Sequence, residues 1–279
     1  MPVLTLKDVS LRYVQEGSGP DIVWCPGGDE VAEAWDCQFA EFRGSFRNTS
    51  FDPRGAGQTI SRKPPPWSIA DLAADCAELI RAKCNAPVII IGLSMGSKIT
   101  LQVAIDYPQL VRVAIAMGTS AKATGFSRDW MQAEVKFRRA GGELPPDFSV
   151  THYAAFSYPS EVLGDDRMWE KIKARVGGNY AHRDGELLAA QWQACLDYDI
   201  VDRLPNCPVP IHAIGFDQDL QTPQPLVRRI AALARDGHFH LLKGLGHLSC
   251  EMHRPDLVNA KITEIISTHL PPARRDPIA

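Results

Sequence analysis

A serine between two glycines is the strongest sign of chemistry in this sequence. It lies in Gly92-Leu93-Ser94-Met95-Gly96, directly after four apolar β-branched residues and at the start of a predicted helix over Met95–Tyr107. Such an apolar run is typical of a strand that is buried on both faces. The two glycines leave room where a Cβ would collide with a neighbouring strand or helix, so the Ser94 hydroxyl is expected to project above the sheet. The pattern predicts a nucleophile, with the Met95 backbone N–H as half of an oxyanion hole.

A histidine in a glycine-rich loop is the best candidate for the base that this serine requires. A serine hydroxyl is a poor nucleophile at neutral pH unless a base lies within hydrogen-bond reach. His247 ends the stretch Gly244-Leu245-Gly246-His247, which follows a predicted strand over His238–Leu242. Ligands of doubly wound sheets bind at the carboxyl ends of the strands, where this loop is expected to lie. We therefore predict that His247 is the general base.

A carboxylate completes the set, because the histidine needs one to keep its tautomer and to stabilise the imidazolium. Asp219 follows the penultimate predicted strand, which runs over Val209–Gly215. The order along the chain is then Ser94, Asp219 and His247. This order is expected for a serine nucleophile on such a sheet.

Strands and helices alternate over most of the chain, and this alternation indicates the fold class. Strands are predicted at Leu11–Gln15, Ile22–Cys25, Arg47–Phe51, Val88–Ile91, Val111–Met117, Val209–Gly215 and His238–Leu242. Helices between consecutive strands imply right-handed crossovers and parallel strands. We therefore predict an α/β fold with a mostly parallel, doubly wound sheet.

Residues 119–204 interrupt this alternation. Four helices and no convincing strand are predicted there, near Ser127–Ala140, Val150–Phe156, Asp165–Arg175 and Glu186–Asp197. We therefore expect a core made of residues 1–118 and 205–279. Residues 119–204 are expected to form a helical lid inserted after the sixth strand.

Aromatic residues are concentrated in the expected lid. Most of them are expected to form the small core of the insertion. Others are expected to line a substrate cavity between lid and sheet, because ligand pockets are concave, apolar and common at such junctions. The sequence does not show which aromatic residues belong to the core of the insertion and which line the cavity. The candidates for the pocket are Trp130, Phe137, Tyr153, Phe156, Trp192 and Leu248.

Composition excludes several classes of protein. The chain has 279 residues, of which 45% are hydrophobic, so it can bury a large core. Its net charge of −3, with acids and bases interspersed, favours neither nucleic acid nor an anionic membrane as a partner. No signal peptide and no apolar run of about 20 residues is visible. We expect a small-molecule substrate, no membrane association, and a monomer or homo-oligomer.

Cysteines and histidines give no sign of a metal or cofactor. The seven cysteines include no C-x-x-C pair, which predicts reduced thiols in the cytoplasm. His238 and His240 are the one pair near zinc-site spacing, but they alternate on a predicted strand and are expected to pack. We therefore expect a cytoplasmic protein that uses neither a metal nor a cofactor.

The motifs together resemble the α/β-hydrolase superfamily over nearly the whole chain. The resemblance is to the lidded branch that includes 3-oxoadipate enol-lactonases, esterases, C–C hydrolases and cofactor-free haloperoxidases. Asp52-Pro53-Arg54-Gly55-Ala56-Gly57 is similar to the family's Asp-x-Arg-Gly-x-Gly loop, and Gly244–His247 resembles its histidine loop. In the first loop we expect Asp52 to bind local backbone amides. Arg54 is the candidate partner of its carboxylate.

Two features depart from the family pattern. The family has His-Gly after its third strand, where this chain has Pro26-Gly27. The resemblance implies that the next amide, that of Gly28, supplies the second oxyanion donor beside Met95, although the histidine that braces this loop is absent. The acid loop is also one residue longer than usual, which leaves Asp217 as a rival acid.

The family's Asp-x-x-x-Pro spacing favours one of the two aspartates. Pro223 lies four residues after Asp219, which favours Asp219, whereas Asp217 fits the spacing from the preceding glycine. Asp219 is therefore the preferred acid and Asp217 remains an alternative.

The resemblance implies a serine hydrolase that cleaves an ester, lactone or thioester of a small to medium acyl compound through an acyl-enzyme. Serine at position 94 disfavours haloalkane dehalogenases and epoxide hydrolases, because those relatives use aspartate there. One alternative is a C–C bond hydrolase or a cofactor-free perhydrolase or oxygenase with the same triad. Another is a ligand-binding homologue without catalysis.

Overall fold

The computed structural model describes residues 2–180 and 184–270, with the backbone alone for 176–180. Its centre is a sheet of nine strands. The strands are β1 (Val3–Thr5), β2 (Val9–Gly17), β3 (Asp21–Cys25), β4 (Arg47–Phe51), β5 (Ile60–Ser61), β6 (Val88–Leu93), β7 (Val111–Met117), β8 (Ile211–Phe216) and β9 (Gly237–Leu242).

The strand order is β1-β2-β4-β3-β6-β7-β8-β9, and β5 pairs with β2. The strands from β4 to β9 in this order are parallel, whereas β2 runs antiparallel to β1, β4 and β5. The predicted mostly parallel sheet is therefore confirmed. The helical segment follows the seventh strand and not the sixth, when the short strands β1 and β5 are counted.

Ten α-helices accompany the sheet in the described residues. Five of them connect or follow strands of the core: α1 (Asp36–Phe42), α2 (Ile69–Lys83), α3 (Met95–Asp106), α9 (Gln224–Leu233) and α10 (Pro255–His269). The other five lie between β7 and β8: α4 (Gly125–Arg139), α5 (Pro146–Ser157), α6 (Ser160–Leu163), α7 (Asp166–Tyr180) and α8 (Gly185–Leu196). The four helices predicted there are present, and the short α6 is additional. None of the ten is long and apolar enough to cross a membrane.

Strand β6 shows why the sheet has an apolar layer on each face. Ile90 packs into a cluster with α2, α3 and α9, whereas its neighbours Ile89 and Ile91 pack into a second cluster with α1 and α10. Successive side chains of a strand point to opposite faces, so a continuous apolar run contributes to both layers. Each fully buried isoleucine stabilises the fold by roughly 1.5–3 kcal/mol. Because both of its faces are packed, β6 holds the start of the turn at Ser94 in a fixed position.

Four histidines form a cluster at the β8–β9 edge of the sheet. His212 is buried, and its Nδ1 and Nε2 lie 2.9 Å and 2.8 Å from the Nε2 atoms of His240 and His269. The His238 ring stacks on His212 with centroids 4.6 Å apart. The predicted packing of His238 and His240 is thus confirmed, within a larger cluster. No group of three or more metal-binding side chains in the described residues has an arrangement that could bind a metal ion.

The cluster makes folding stability depend on pH. Burial lowers the pKa of His212 to about 3, with smaller contributions from the three neighbouring histidines. Burial also lowers the pKa values of His240 and His269. A neutral imidazole has one N–H donor and one acceptor, so His212 can donate to one neighbour and accept from the other only while it is uncharged.

We predict that acid destabilises the protein through this cluster. Unfolded histidine binds a proton near pH 6.5, whereas His212 in the folded protein does so only near pH 3. The free energy of unfolding should therefore fall as pH decreases through 6.5, by roughly 1–2 kcal/mol between pH 7 and pH 5 from His212. Urea denaturation at several pH values measures this fall, which should be smaller in His212→Gln. His152→Gln, outside the cluster, is the control. Equal pH dependence in wild type and His212→Gln would contradict the prediction.

Candidate active site

Five connecting segments meet at the carboxyl edge of the parallel strands. Gly28 follows β3, Ser94 follows β6, Gly118 follows β7, Asp219 follows β8 and His247 follows β9. Four of these residues line one cavity, and the fifth, Asp219, lies behind His247. The sheet therefore brings together residues that are distant along the chain.

The backbone at Ser94 is strained, and the flanking glycines make this strain sterically possible. Ser94 has φ 56° and ψ −118°, a conformation that side-chain-bearing residues rarely adopt. A Cβ at Gly92 would lie 2.3 Å from the Gly96 carbonyl oxygen, and one at Gly96 would lie 1.9 Å from the Cys25 carbonyl oxygen. The predicted need for both glycines is confirmed. Ser94 is half-buried between fully buried neighbours, so it remains accessible from the cavity.

His247 and Asp219 form a buried pair. The His247 Nδ1 lies 2.7 Å from the Asp219 Oδ2, and the two residues are 2% and 3% exposed. The second carboxylate oxygen accepts a hydrogen bond from the Thr222 backbone N–H at 2.8 Å, and the Thr222 hydroxyl donates to the Gly118 carbonyl at 2.7 Å. Thr222 was missed in the sequence, although it lies within the Asp219–Pro223 spacing. It fixes the carboxylate in place.

The rival acid Asp217 has a different partner. Its side chain is exposed and accepts a hydrogen bond from the Gly244 backbone N–H at 2.7 Å. It therefore stabilises the start of the histidine loop, whereas Asp219 contacts the imidazole itself. The structure thus brings Asp219, and not Asp217, to His247.

The loop after β3 approaches Met95 without the histidine that the family pattern has at position 26. A Cβ at Gly28 would lie 3.9 Å from the Met95 Cβ, and both residues line the cavity. The loop is fixed by Gln191 of α8, which is 1% exposed. Its Oε1 accepts from the Asp29 N–H at 2.7 Å, and its Nε2 donates to the Arg54 carbonyl at 2.7 Å. No sequence signal could identify Gln191, because it lies 162 residues from Asp29.

Asp52 supports the same region from the other side. Its Oδ1 accepts hydrogen bonds from the Ala32 backbone N–H at 3.0 Å and from the Arg12 guanidinium at 2.9 Å. The expected binding of backbone amides is confirmed. The expected pairing with Arg54 is wrong, because Arg54 extends to α2 and binds Asp75 with two hydrogen bonds of 2.6 Å and 2.9 Å.

The cavity contains about 690 Å³ of empty space, including the solvent at its mouth. Of the six pocket candidates, Trp130, Tyr153, Trp192 and Leu248 line it. The Trp130 and Trp192 rings meet edge to face, with centroids 4.8 Å apart. Helices α4, α5 and α8 thus supply an aromatic wall opposite the carboxyl edge of the sheet.

The other two candidates lie outside this lining. Phe137 packs against Gly142, where a Cβ would meet its ring at 2.4 Å. Phe156 stacks on Trp130 with ring centroids 5.3 Å apart. These rings pack among the helices, as expected of most aromatics in this segment.

A buried lysine in the cavity lining was also missed in the sequence. Lys98 is 4% exposed, and its Nζ donates to the carbonyl oxygen of Ser120 at 2.9 Å and to its hydroxyl at 3.2 Å. Burial lowers its pKa to about 8. Burial likewise raises the pKa of the neighbouring Cys195 thiol to about 11. The sequence did carry a signal, because Lys98 lies one helical turn after Ser94 and no other charged residue occurs in the helix before Asp106.

Comparison with known proteins identifies the family. The pattern of the alpha/beta hydrolase family matches residues 22–261, and the chain belongs to that family. It is similar to a Mycobacterium tuberculosis H37Rv protein provisionally named non-heme bromoperoxidase BpoC, at 25% identity over 93% of this chain and 98% of that one. It is also similar to a provisionally named carbamate hydrolase RutD of Variovorax paradoxus, at 25% identity over 85% and 89% of the two chains.

A solved structure shares the fold. The enol-lactonase of Burkholderia xenovorans LB400 superposes with a TM-score of 0.85 at 19% identity, over 95% of this chain and 100% of the other. The family and this likeness confirm the α/β-hydrolase resemblance noted in the sequence, and the protein is accordingly a hydrolase-family enzyme.

We predict that Gln191 stabilises the loop after β3. Gln191→Leu removes the partner of the half-buried Asp29 N–H and of the buried Arg54 carbonyl, so the free energy of unfolding should fall by about 2 kcal/mol. Amide hydrogen exchange at Asp29 should accelerate. Chemical denaturation and exchange mass spectrometry measure the two effects. Gln193→Leu on the same helix is the matched control, because the Gln193 side chain bonds to the side chains of Arg139 and Asp197 and not to the loop. An unchanged Asp29 exchange rate in Gln191→Leu would refute the assignment.

Proposed function

We propose that the protein is a serine hydrolase that cleaves an ester, lactone or thioester of a small to medium acyl compound. One observation carries the proposal. Ser94, in a strained turn, lines the same cavity as His247, whose Nδ1 lies 2.7 Å from the buried Asp219 carboxylate. A nucleophile, a base and an orienting acid are what acyl transfer through a serine requires.

In the first half of the proposed reaction, Ser94 becomes acylated. The Ser94 Oγ attacks the carbonyl carbon while His247 Nε2 accepts the hydroxyl proton. Asp219 keeps the proton of the imidazole on Nδ1 and stabilises the imidazolium that forms. The backbone N–H groups of Gly28 and Met95 donate to the oxyanion of the tetrahedral intermediate. The imidazolium then protonates the leaving oxygen or sulfur, which departs.

In the second half, water releases the acyl group. His247 removes a proton from a water molecule, whose oxygen attacks the acyl-enzyme carbonyl. The same two N–H groups stabilise the second oxyanion. Ser94 leaves with the proton from His247, and the product is a carboxylic acid.

We further propose that residues 119–204 act as a lid over a core made of residues 1–118 and 205–279. The cavity wall supports this assignment, because Trp130, Tyr153 and Trp192 come from helices between β7 and β8. A concave cavity with an apolar, aromatic wall and a few polar groups is typical of a site for a small molecule. The names of similar proteins include an enol-lactonase and a carbamate hydrolase, and both describe cleavage of an acyl–heteroatom bond.

Perhydrolysis is a second candidate activity, favoured by the similarity to the provisionally named bromoperoxidase. Hydrogen peroxide would replace water in the second half. One of its oxygens bonds to the acyl carbon, the bond to Ser94 breaks, and the products are a peroxy acid and free Ser94. Peroxy acid formed from an ester and hydrogen peroxide, and absent in Ser94→Ala, would establish this reaction. Carboxylic acid as the sole product would exclude it.

We predict that Ser94→Ala lowers kcat/KM for short aryl esters by about 10⁴-fold or more, because no nucleophile remains. A fluorophosphonate should label wild type at Ser94 and leave the variant unlabelled. Ester hydrolysis followed by absorbance and intact-mass spectrometry measure the two effects. Hydrolysis retained at near wild-type rates in Ser94→Ala would disprove the proposed function.

The two aspartates provide a matched pair for a second prediction. Asp219→Asn should lower kcat by about 10³- to 10⁴-fold, because an amide cannot hold the required tautomer or stabilise the imidazolium. Asp217→Asn keeps an oxygen for the Gly244 N–H and should change kcat by less than about three-fold. Steady-state kinetics on one ester compare the variants, with circular dichroism to verify folding. The reverse ranking would transfer the acid role to Asp217.

A further inference from the structure

Lys98 is a charged group that the proposed mechanism does not use. It lies on α3, lines the cavity together with Ser94, and is 4% exposed. Ser120 accepts two hydrogen bonds from its Nζ, through its carbonyl and its hydroxyl. The Tyr198 ring lies 4.9 Å from the Nζ and offers a cation–π contact without negative charge. The ammonium group is thus positioned by neutral partners.

Among the side chains that the structure describes, no carboxylate forms an ion pair with Lys98. Burial lowers the pKa of Lys98, and the neighbouring Cys195 thiol raises it. Glu30 also lines the cavity, but its charge acts on Arg175. A buried cation without a counter-ion is destabilising, because desolvation is not offset by an anion. The charge of Lys98 therefore lacks compensation within the described protein.

In the part of the chain that the structure describes, two further polar atoms in the lining lack hydrogen-bond partners. The Thr119 hydroxyl and the Trp130 indole nitrogen are buried without one, and both residues line the cavity. Buried polar atoms of a folded protein almost always have partners. These two donors and the Lys98 ammonium group are what a bound carboxylate would satisfy.

We propose that Lys98 binds a carboxylate of the substrate, so that the acyl compound hydrolysed at Ser94 carries a second, anionic carboxyl group. This proposal rests on the proposed serine hydrolase function and narrows its substrate class. The reacting carbonyl lies at Ser94, and the free carboxylate lies at Lys98, with Thr119 and Trp130 as additional donors. Half-esters of dicarboxylic acids and lactones bearing a carboxylate have this arrangement.

A series of monomethyl esters of dicarboxylic acids, from succinate to pimelate, tests the proposal in the wild-type enzyme. Each half-ester is compared with a neutral methyl ester in which an isopropyl group replaces the carboxylate. A charge-assisted hydrogen bond to the carboxylate should make kcat/KM for the half-ester about 10- to 100-fold higher than for the neutral ester. At least one half-ester should exceed its neutral counterpart by that factor. Preference for the neutral ester at every chain length would overturn the proposal.

Two variants test whether Lys98 causes the preference for the half-ester over the neutral ester. In Lys98→Met, which has a side chain of similar length without charge, the ratio of the two kcat/KM values should fall by about 10- to 100-fold. Trp130→Phe keeps a ring but removes the indole N–H, and it should lower the same ratio by about 3- to 10-fold. Trp130→Phe also provides a test if Lys98→Met does not fold. An unchanged ratio in folded variants would overturn the assignment.

A binding measurement tests the role of Lys98 independently of the proposed hydrolysis. Calorimetry on Ser94→Ala should detect the unreactive dicarboxylates glutarate or adipate, with affinity lowered about 10-fold or more in Ser94→Ala/Lys98→Met. If Ser94→Ala still hydrolysed esters, the proposed serine-hydrolase reaction would be wrong. The calorimetry would still show whether Lys98 binds a carboxylate. If Ser94→Ala abolished hydrolysis but no dicarboxylate bound, the role of Lys98 would be wrong and the reaction would stand.

Discussion

The strained turn at Ser94 is the constraint on which the rest of the site depends. Ser94, which has a positive φ, is the single residue between β6 and α3. The turn lies so close to the end of β3 that Gly96 has no room for a Cβ beside the Cys25 carbonyl oxygen. Such a conformation costs about 1–3 kcal/mol and persists only when its surroundings enforce it. Here the surroundings are a strand buried on both faces and a buried helix. The stability of the sheet thus determines the position of the candidate nucleophile.

Every other group of the candidate site is positioned relative to this turn by the parallel sheet. Asp219 and His247 follow the last two strands, and Gly118 follows the strand next to β6. The loop at Gly28 is set by more distant contacts, because Gln191 and Asp52 bind its flanking backbone from α8 and from the end of β4. A helix between β7 and β8 therefore couples the aromatic wall of the cavity to the loop at Gly28. The two halves of the site are parts of one packed unit.

Local sequence patterns predicted most of the fold and the candidate catalytic residues. The apolar strands, the glycine pair around Ser94 and the histidine loop are visible because their causes act between residues that are near in sequence. Where two local patterns disagreed, as for Asp217 and Asp219, the spacing to Pro223 favoured the residue that contacts His247. The partner of Asp52 was mispredicted, because nearness in sequence suggested Arg54, whereas the guanidinium that reaches it belongs to Arg12 on the adjacent strand β2.

The sequence by itself thus determined the fold class, the strained serine and the order of the three candidate catalytic residues, since each follows from short-range sterics and hydrophobic periodicity. The tertiary structure alone decided which carboxylate meets the imidazole, which aromatic rings line the cavity and how the loop at Gly28 is stabilised. It also decided that Lys98 lies in the cavity lining without an acidic partner among the described residues. These properties depend on distances between segments far apart in the chain, and such distances exist only once the helices have packed on the sheet.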